Sequence, residues 1–157
     1  PANYREPKMP GKVHVVSEYN TSPDELWAIT KDLDALVEMN ARMVKMEGVP
    51  SGDMYSGQKI DAQVSLFGKL PPQPYGITII EVDDATRTFR STEHGSGVKS
   101  WNHVGRVEET ATGARLIDEI EIDAGWKTPL IVGWANLLYR ARNKPRLRLL
   151  DQRGALG

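Results

Sequence analysis

Three polar residues on neighbouring predicted strands, Glu93, His103 and Asp118, are the candidates for catalytic chemistry in this sequence. A histidine beside a carboxylate can serve as general base and general acid, for example in an aldol cyclisation or a dehydration. A buried carboxylate needs a partner, and burial raises its pKa. The alternative is structural: His103 and Asp118 would form a hydrogen-bonded pair, and Glu93, near a strand end, would reach solvent.

Strand alternation predicts that His103 and Asp118 face the interior together. Charged residues at alternate positions of 99–108 and 114–123 are expected to face water, which turns the positions between them inward. Closing the turn at residues 111–112 sets Gly105 opposite Asp118 and His103 opposite Ile120. His103 and Asp118 then become diagonal neighbours on one face of the sheet.

The strand before them adds further polar groups to the same face. With Arg90 outward, Phe89, Ser91 and Glu93 point inward. A three-residue turn at 95–97 would set Phe89 opposite His103 and Ser91 opposite Trp101. A single β-bulge would reverse every such assignment beyond it.

Several other kinds of site are excluded or disfavoured. The sequence has no cysteine, which removes disulfides, thiolate metal sites, iron–sulfur clusters and cysteine nucleophiles. His14, His94 and His103 lack metal-ligand spacing, so we expect no metal site and no cofactor. The Gly-Ser-Gly at 95–97 lies between predicted strands, which indicates a turn and not a nucleophile elbow.

Composition and charge narrow the class of partner. The 157 residues are 39% hydrophobic and 26% charged, with a formal net charge of −1, as in ordinary globular proteins. This balance gives no reason to expect a nucleic acid or an anionic membrane as the main partner. Neither a membrane helix nor a signal peptide is apparent, so we expect a cytoplasmic protein without integral membrane association.

The elements that would position the polar residues follow in the order strand, two short helices, six strands and a long helix. The first strand is predicted at 12–19. A capping box at 22–25 precedes the first short helix, and Asp32 is expected to cap the second. The proline-rich segment 67–76 is expected to be a loop or a sheet edge. The remaining strands are predicted at 43–46, 58–66, 77–82, 86–93, 99–108 and 114–123, joined as an antiparallel meander.

The last element is a long helix whose N-cap and first-turn proline are expected at Thr128 and Pro129, with a kink or break at Pro145. An apolar stripe at helical spacing should face the core: Leu130, Trp134, Leu137, Leu138 and Ala141. Five basic residues occupy its later turns: Arg140, Arg142, Lys144, Arg146 and Arg148. We expect these to be solvated and to complement the helix dipole, the alternative being a site for an acidic partner.

The element order, together with Val-Ser-Glu-Tyr-Asn-Thr-Ser-Pro-Asp-Glu-Leu-Trp at 16–27 and Asp32-Leu33, resembles the START/Bet v 1-like (SRPBCC) superfamily. Within it, the sequence looks most like the polyketide cyclase/dehydrase and lipid-transport branch. The resemblance implies an α+β helix-grip fold, in which a curved antiparallel seven-stranded sheet surrounds a long C-terminal helix and two short helices follow strand 1. It also implies an apolar cavity, because members bind lipids, polyketides, hormones or quinones. The iron-site pattern of ring-hydroxylase members and the gate-and-latch loops of plant hormone receptors are missing here.

The expected organisation is an extended leader at 1–11, a single helix-grip ligand-binding domain at 12–152 and a tail at 153–157. The expected function is to bind or transport a hydrophobic small molecule such as a lipid, polyketide or quinone-like compound. Two alternatives stay open. One is a cyclase/dehydratase-type enzyme that uses His103 with Asp118 or Glu93, and the other is a protein-interaction module with a large exposed apolar patch. The sequence does not set the oligomeric state.

Alternation within the strands and the helical stripe predict which residues line the cavity, with Tyr75 near its mouth. These residues are Ile60, Ala62, Val64, Leu66, Tyr75, Phe89, Ser91, Trp101, His103, Gly105, Asp118, Ile120, Trp134 and Leu138.

Overall fold

A seven-stranded antiparallel sheet holds the elements together in a computed structural model that describes residues 11–157. The strands pair in the order β1-β7-β6-β5-β4-β3-β2, so consecutive strands from β2 to β7 are neighbours and β1 closes against β7. The strand bounds are β1 Gly11–Tyr19, β2 Val44–Glu47, β3 Lys59–Leu66, β4 Gln73–Asp83, β5 Thr88–Gly95, β6 Val98–Thr110 and β7 Gly113–Asp123. The predicted leader, apart from Gly11, lies outside the described residues.

Two short helices follow β1, as predicted. They are α1, Pro23–Lys31, and α2, Leu33–Asn40. The hydroxyl of Ser22 accepts a hydrogen bond from the Glu25 amide at 3.1 Å, which caps α1. The Asp32 carboxylate accepts from the amides of Asp34 and Ala35, which caps α2. Local capping therefore fixes where both helices begin, and their buried residues pack into the core.

The C-terminal helix is broken, as the proline predicts. Helix α3 spans Thr128–Ala141 and α4 spans Asn143–Gln152, with Arg142 between them. Pro145 cannot donate a hydrogen bond to the carbonyl four residues earlier and its ring crowds that carbonyl, so the break falls ahead of the proline. Thr128 is the first residue of α3 and not its cap. Its hydroxyl accepts from the Ala124 amide and donates to the Gly125 carbonyl, in a short 3₁₀ turn at Gly125–Lys127.

Together the sheet, the short helices and the bent C-terminal helix form the helix-grip fold, which confirms the expected fold class. The proline-rich segment differs from expectation because β4 begins at Gln73, within it. Pro74 pairs with Gln63 of β3, whereas pairing with β5 starts at Tyr75. Proline is tolerated near the start of a strand. Because β5 does not pair with β4 at Pro74, the missing N–H of the proline costs no hydrogen bond to β5.

The predicted tail packs back onto the body of the protein. The Gly157 amide donates to the Asn20 carbonyl at 2.9 Å, and the Thr21 hydroxyl donates to the Ala155 carbonyl at 2.7 Å. Ala155 and Leu156 pack against the main hydrophobic core. The end of the chain therefore holds the turn after β1 in place.

The outer face of α3 and of the 3₁₀ turn before it is unusually apolar. Trp126, Leu130 and Leu137 are 80%, 72% and 58% exposed. Leu130 and Leu137, expected in the core-facing stripe, therefore point outward, whereas Ala135, Leu138 and Tyr139 are the buried residues of α3. This is the kind of surface that the protein-interaction alternative requires, and that alternative stays a prediction.

Candidate functional site

A cavity of about 70 Å³ lies between the sheet, the short helices and the junction of α3 with α4. Half of the lining residues are apolar: Leu33, Leu36, Met39, Met46, Ile60, Ile77, Ile79, Phe89 and Leu116. Polar residues are interspersed among them and are together called the polar side: Ser91, Glu93, His103, Asp118, Tyr139, Arg142 and Arg146, with Thr30 and Asn40 on the helices. Pockets for drug-sized ligands measure about 300–1,000 Å³. A molecule of that size would need the helices to shift away from the sheet.

Asp118, His103 and Tyr139 form a hydrogen-bonded array on the polar side. His103 Nε2 lies 2.7 Å from Asp118 Oδ1, and His103 Nδ1 lies 3.3 Å from the Tyr139 hydroxyl. The side chains come from β6, β7 and α3, and all three residues are buried. The strand register confirms the predicted pairing of Gly105 with Asp118 and of His103 with Ile120, which makes His103 and Asp118 diagonal neighbours.

The charge of Asp118 sets the direction of this array. Burial pushes the pKa of Asp118 upward, but the hydrogen bond from His103 and the positive charges of His103, Arg146 and Arg142 bring it below its ordinary value. An ionised Asp118 accepts hydrogen bonds only, so Nε2 of His103 donates. When His103 is neutral, its Nδ1 then accepts from the Tyr139 hydroxyl. Burial raises the pKa of Tyr139 well above its ordinary range, so this hydroxyl keeps its proton at neutral pH.

Glu93 occupies a different end of the polar side. The Tyr75 hydroxyl donates to Glu93 Oε1 at 2.9 Å. Burial raises the pKa of Glu93, although His103, the Tyr75 hydrogen bond and Arg142 pull it down. The pKa of Tyr75 is also raised, first by burial and then by the nearby Glu93. The cavity thus holds one carboxyl group that favours the ionised form and one that favours its proton.

Two arginines complete the polar side from the junction of α3 and α4. Arg142 Nε donates to Asn40 Oδ1 at 2.8 Å, and its guanidinium lies 4.2 Å from the centroid of the Tyr139 ring. Arg146 is 3% exposed and its Nη1 donates to the Tyr19 hydroxyl at 3.0 Å. Its Nε is buried without a hydrogen-bond acceptor in the described part of the chain. The cavity therefore contains hydrogen-bond donors that the protein itself does not fully use.

The family model described as "Domain of unknown function (DUF8410)" matches residues 16–150 of this chain. The chain belongs to this family. No curated protein matches its sequence.

Solved structures with the same fold are distant in sequence. A START superfamily protein from Mycobacterium smegmatis is 10% identical, over 90% of this chain and 97% of that chain, with a TM-score of 0.67. Ara h 8.0201 is 16% identical, over 85% and 95%, with a TM-score of 0.62. TTHA0849 from Thermus thermophilus is 13% identical, over 88% and 99%, with a TM-score of 0.63. At these identities the likeness shows the fold, so this DUF8410 domain has the START/Bet v 1-like (SRPBCC) fold.

The structure brings part of the predicted residue set to the cavity. Ile60, Phe89, Ser91, His103 and Asp118 line it, and so does the candidate Glu93. Others are buried in the core without lining it: Ala62, Val64, Trp101, Gly105, Ile120 and Leu138. Trp101 and Ile120 pack in a second cluster beneath α3, and a Cβ at Gly105 would lie 2.1 Å from Phe89 Cε1. Gly105 thus makes room for the Phe89 ring at the cavity.

Three predicted cavity residues lie elsewhere. Leu66 is 39% exposed, because alternation ends where Val64 and Ser65 are both buried and the Ser65 hydroxyl donates to the Leu70 carbonyl. Trp134 is half-buried and packs edge-to-face on Phe67, with ring centroids 5.6 Å apart. Tyr75 lies on β4, not on a loop, and reaches the cavity only through its bond to Glu93.

The predicted register of β5 on β6 was wrong by two residues. The structure pairs Phe89 with Gly105, Ser91 with His103 and Glu93 with Trp101. The loop between β5 and β6 has two residues and not three, because Gly95 pairs with Val98. An irregularity between Glu93 and Gly95 then shifts the register by one further residue. The two changes together preserve which face each residue occupies, so the inward set survived the error.

Sequence reasoning missed Arg142 and Arg146, which it placed in solvent with the other basic residues of the helix. The signal was present in the spacing: Ala135, Leu138, Tyr139, Arg142, Arg146, Leu149 and Leu150 follow one another at intervals of one, three or four residues. Both arginines therefore continue the buried face across the break. Of the five basic residues, Arg140, Lys144 and Arg148 are exposed as expected.

Two further surveys concern only residues 11–157. They contain no group of three or more histidine, aspartate or glutamate side chains placed to hold a metal ion. None of their helices is long and apolar enough to cross a membrane.

Proposed function

We propose that this protein binds a small, largely apolar molecule that bears a polar group, such as a lipid-like, polyketide or quinone-like compound. The observation that supports this is the mixed apolar and polar lining of the cavity. Aliphatic side chains from α2 and the sheet would hold the apolar part, and the buried polar side chains would orient the polar group. Buried polar and charged groups are costly, so a cavity lined with them is better explained by a ligand than by packing.

The small volume shapes how binding would occur. A cavity of about 70 Å³ has room for a few water molecules, which ligand entry would displace. Helices α1 and α2 line part of it and are joined by the single residue Asp32. We propose that these helices form the entrance, because the pairing of the seven strands with one another does not involve them.

A titration with benzyl alcohol, followed by NMR amide shifts, tests this function. We expect shifts to concentrate at cavity residues. Ser91→Leu should fill the cavity and abolish them, because Ser91 is a buried cavity residue. Thr92→Leu is the matched control, since the next residue of β5 points to the opposite face of the sheet. Shifts that are absent, or that are unchanged by Ser91→Leu, would contradict binding in the cavity.

An enzyme is the second candidate, supported by the Asp118–His103–Tyr139 array beside Glu93. In a cyclase/dehydratase-type reaction, His103, oriented by Asp118, would take a proton at Nδ1. Glu93, whose raised pKa favours its protonated form, would donate one. The 3.3 Å contact from Tyr139 to Nδ1 is long, so a substrate could replace it.

Deuterium exchange separates the enzyme from a carrier. A ligand with an acidic C–H bond next to a carbonyl, incubated in D₂O with the protein, should gain deuterium if His103 acts as a base. The His103→Gln variant should bind the ligand and leave it unlabelled. If the wild-type protein also leaves a bound ligand unlabelled, the enzyme hypothesis fails while the binding function stands.

A further inference from the structure

We propose that Arg142 and Arg146 anchor a carboxylate on the molecule that occupies the cavity. This inference rests on the proposed function, because it names the chemical class of the ligand for the same site. It makes the ligand an amphipathic acid, with its carboxylate at the junction of α3 and α4 and its apolar part toward α2 and the sheet.

The buried guanidinium of Arg146 is incompletely hydrogen-bonded within the described residues. Its side chain is 3% exposed, its Nη1 has one acceptor in the Tyr19 hydroxyl, and its buried Nε has none in the described part of the chain. Buried donors in native proteins are almost always paired, and an unpaired one calls for an explanation. A carboxylate of a ligand would supply the missing acceptor.

In the part of the chain that the structure describes, no carboxylate forms an ion pair with the guanidinium of Arg142 or Arg146. Within residues 11–157, the ion pairs closer than 4.0 Å include neither Arg142 nor Arg146. Asp118 is committed to His103 at 2.7 Å. Arg142 uses its Nε on the neutral amide of Asn40 and stacks on Tyr139. Buried charges are normally paired, so two guanidinium groups at one cavity without close carboxylates mark a place for an anion.

The charges of the groups that face the cavity also favour an anion. The two arginines contribute two positive charges and Asp118 one negative charge. Burial favours the uncharged form of Glu93, and Tyr139 keeps its proton. A carboxylate fits the planar fork of a guanidinium with two parallel hydrogen bonds, and it needs less room than a tetrahedral anion in this small cavity.

Benzoate and benzamide test the inference, because they have nearly the same shape and differ in charge. At pH 7.5 we expect the wild-type protein to bind benzoate about tenfold or more tightly than benzamide, as charge-assisted hydrogen bonds imply. In Arg146→Gln and in Arg142→Gln the preference should fall toward one. Arg148→Gln is the control, since Arg148 is an exposed arginine of the same helix. Dissociation constants come from NMR titration of each variant.

The outcomes separate this inference from the function on which it rests. Equal binding of benzoate and benzamide by the wild-type protein overturns the carboxylate anchor and leaves the binding function intact. A benzoate preference that survives both arginine substitutions also overturns it. If neither compound binds, the proposed function fails as well. A dispersed amide spectrum reports folding, and if Arg146→Gln is unfolded, Arg142→Gln alone decides between these results.

Discussion

Asp118 and Glu93 line the same cavity, yet their carboxyl groups behave in opposite ways. Burial acts on both and favours the protonated form of each. Asp118 overcomes it through His103 at 2.7 Å and the charges of the two arginines. Glu93 has a neutral hydroxyl from Tyr75 as its hydrogen-bond donor. The sign of the pKa shift is therefore set by the partners of each carboxyl group, and not by its depth in the protein.

The two carboxyl groups therefore give the cavity different properties. The lowered pKa of Asp118 favours its charged form, and the raised pKa of Glu93 favours its uncharged form. Asp118 holds His103 in one orientation and offsets part of the charge of the arginines. Burial favours the uncharged form of Glu93, in which the carboxyl group can donate a hydrogen bond as well as accept one. The binding function needs the charge of Asp118 to orient a ligand. The enzyme alternative also needs Glu93 as a proton donor.

The largest expected effect comes from removing the fixed charge. Asp118→Ala should lower the free energy of unfolding by about 3–5 kcal/mol, because it removes the buried carboxylate that His103 contacts at 2.7 Å. Urea denaturation measures the change. Glu119→Ala removes a neighbouring carboxylate that is half exposed and pairs with exposed His14, so it should cost no more than about 0.5 kcal/mol. Similar losses for the two variants would contradict a special role for Asp118.

A smaller effect is expected from the partner of Glu93. Tyr75→Phe should cost about 1 kcal/mol by removing the hydroxyl that donates to Glu93. In the Glu93→Leu background the two changes should interact, because leucine has no acceptor and both substitutions then remove the same hydrogen bond. A double-mutant cycle from denaturation at pH 7 measures this coupling. Additive losses would show that the Tyr75–Glu93 bond contributes nothing to stability.

The smallest effect concerns the dependence of stability on pH. The raised pKa of Glu93 means that the folded protein holds this proton more tightly than the unfolded chain does. Stability from Glu93 is therefore present below its unfolded pKa and is lost as pH rises through the folded pKa. The lowered pKa of Asp118 acts in the opposite sense, with stability present above the unfolded pKa and lost as pH falls.

Unfolding free energies measured from pH 3 to pH 8 should therefore change in separate ways. The wild-type free energy of unfolding should fall as Glu93 loses its proton with rising pH, and Glu93→Gln should remove that fall. The same substitution should leave the acid part of the curve unchanged. Asp118→Asn should instead remove the fall in the free energy of unfolding that accompanies protonation of Asp118 at low pH. A Glu93→Gln curve that parallels the wild-type curve throughout would mean that the two carboxyl groups do not differ as described.

The register of β6 on β7 was predictable because alternating charges fix which residues face water, and a short turn joins the two strands. The register of β5 on β6 was not, because the loop length and a bulge near Glu93 are set by backbone geometry at Gly95-Ser96-Gly97. Ser96 adopts φ 52° and Gly97 φ 81°, a left-handed pair that closes a two-residue loop.

The arginine end of the cavity was missed for a different reason. Basic residues near the end of a helix normally complement its dipole, and that rule outweighed the spacing of Arg142 and Arg146 on the buried face. The volume of the cavity was also not predictable from the sequence. It depends on how closely α2 packs on the sheet, which composition and alternation do not determine.

Native mass spectrometry of freshly purified protein tests the central claim most directly, followed by solvent extraction and identification of what is released. The account predicts a bound small molecule that is largely apolar and bears a carboxylate, retained by Thr92→Leu and lost from Ser91→Leu. A wild-type protein that has the mass of the bare chain, and that binds neither benzyl alcohol nor benzoate when they are added, would contradict it.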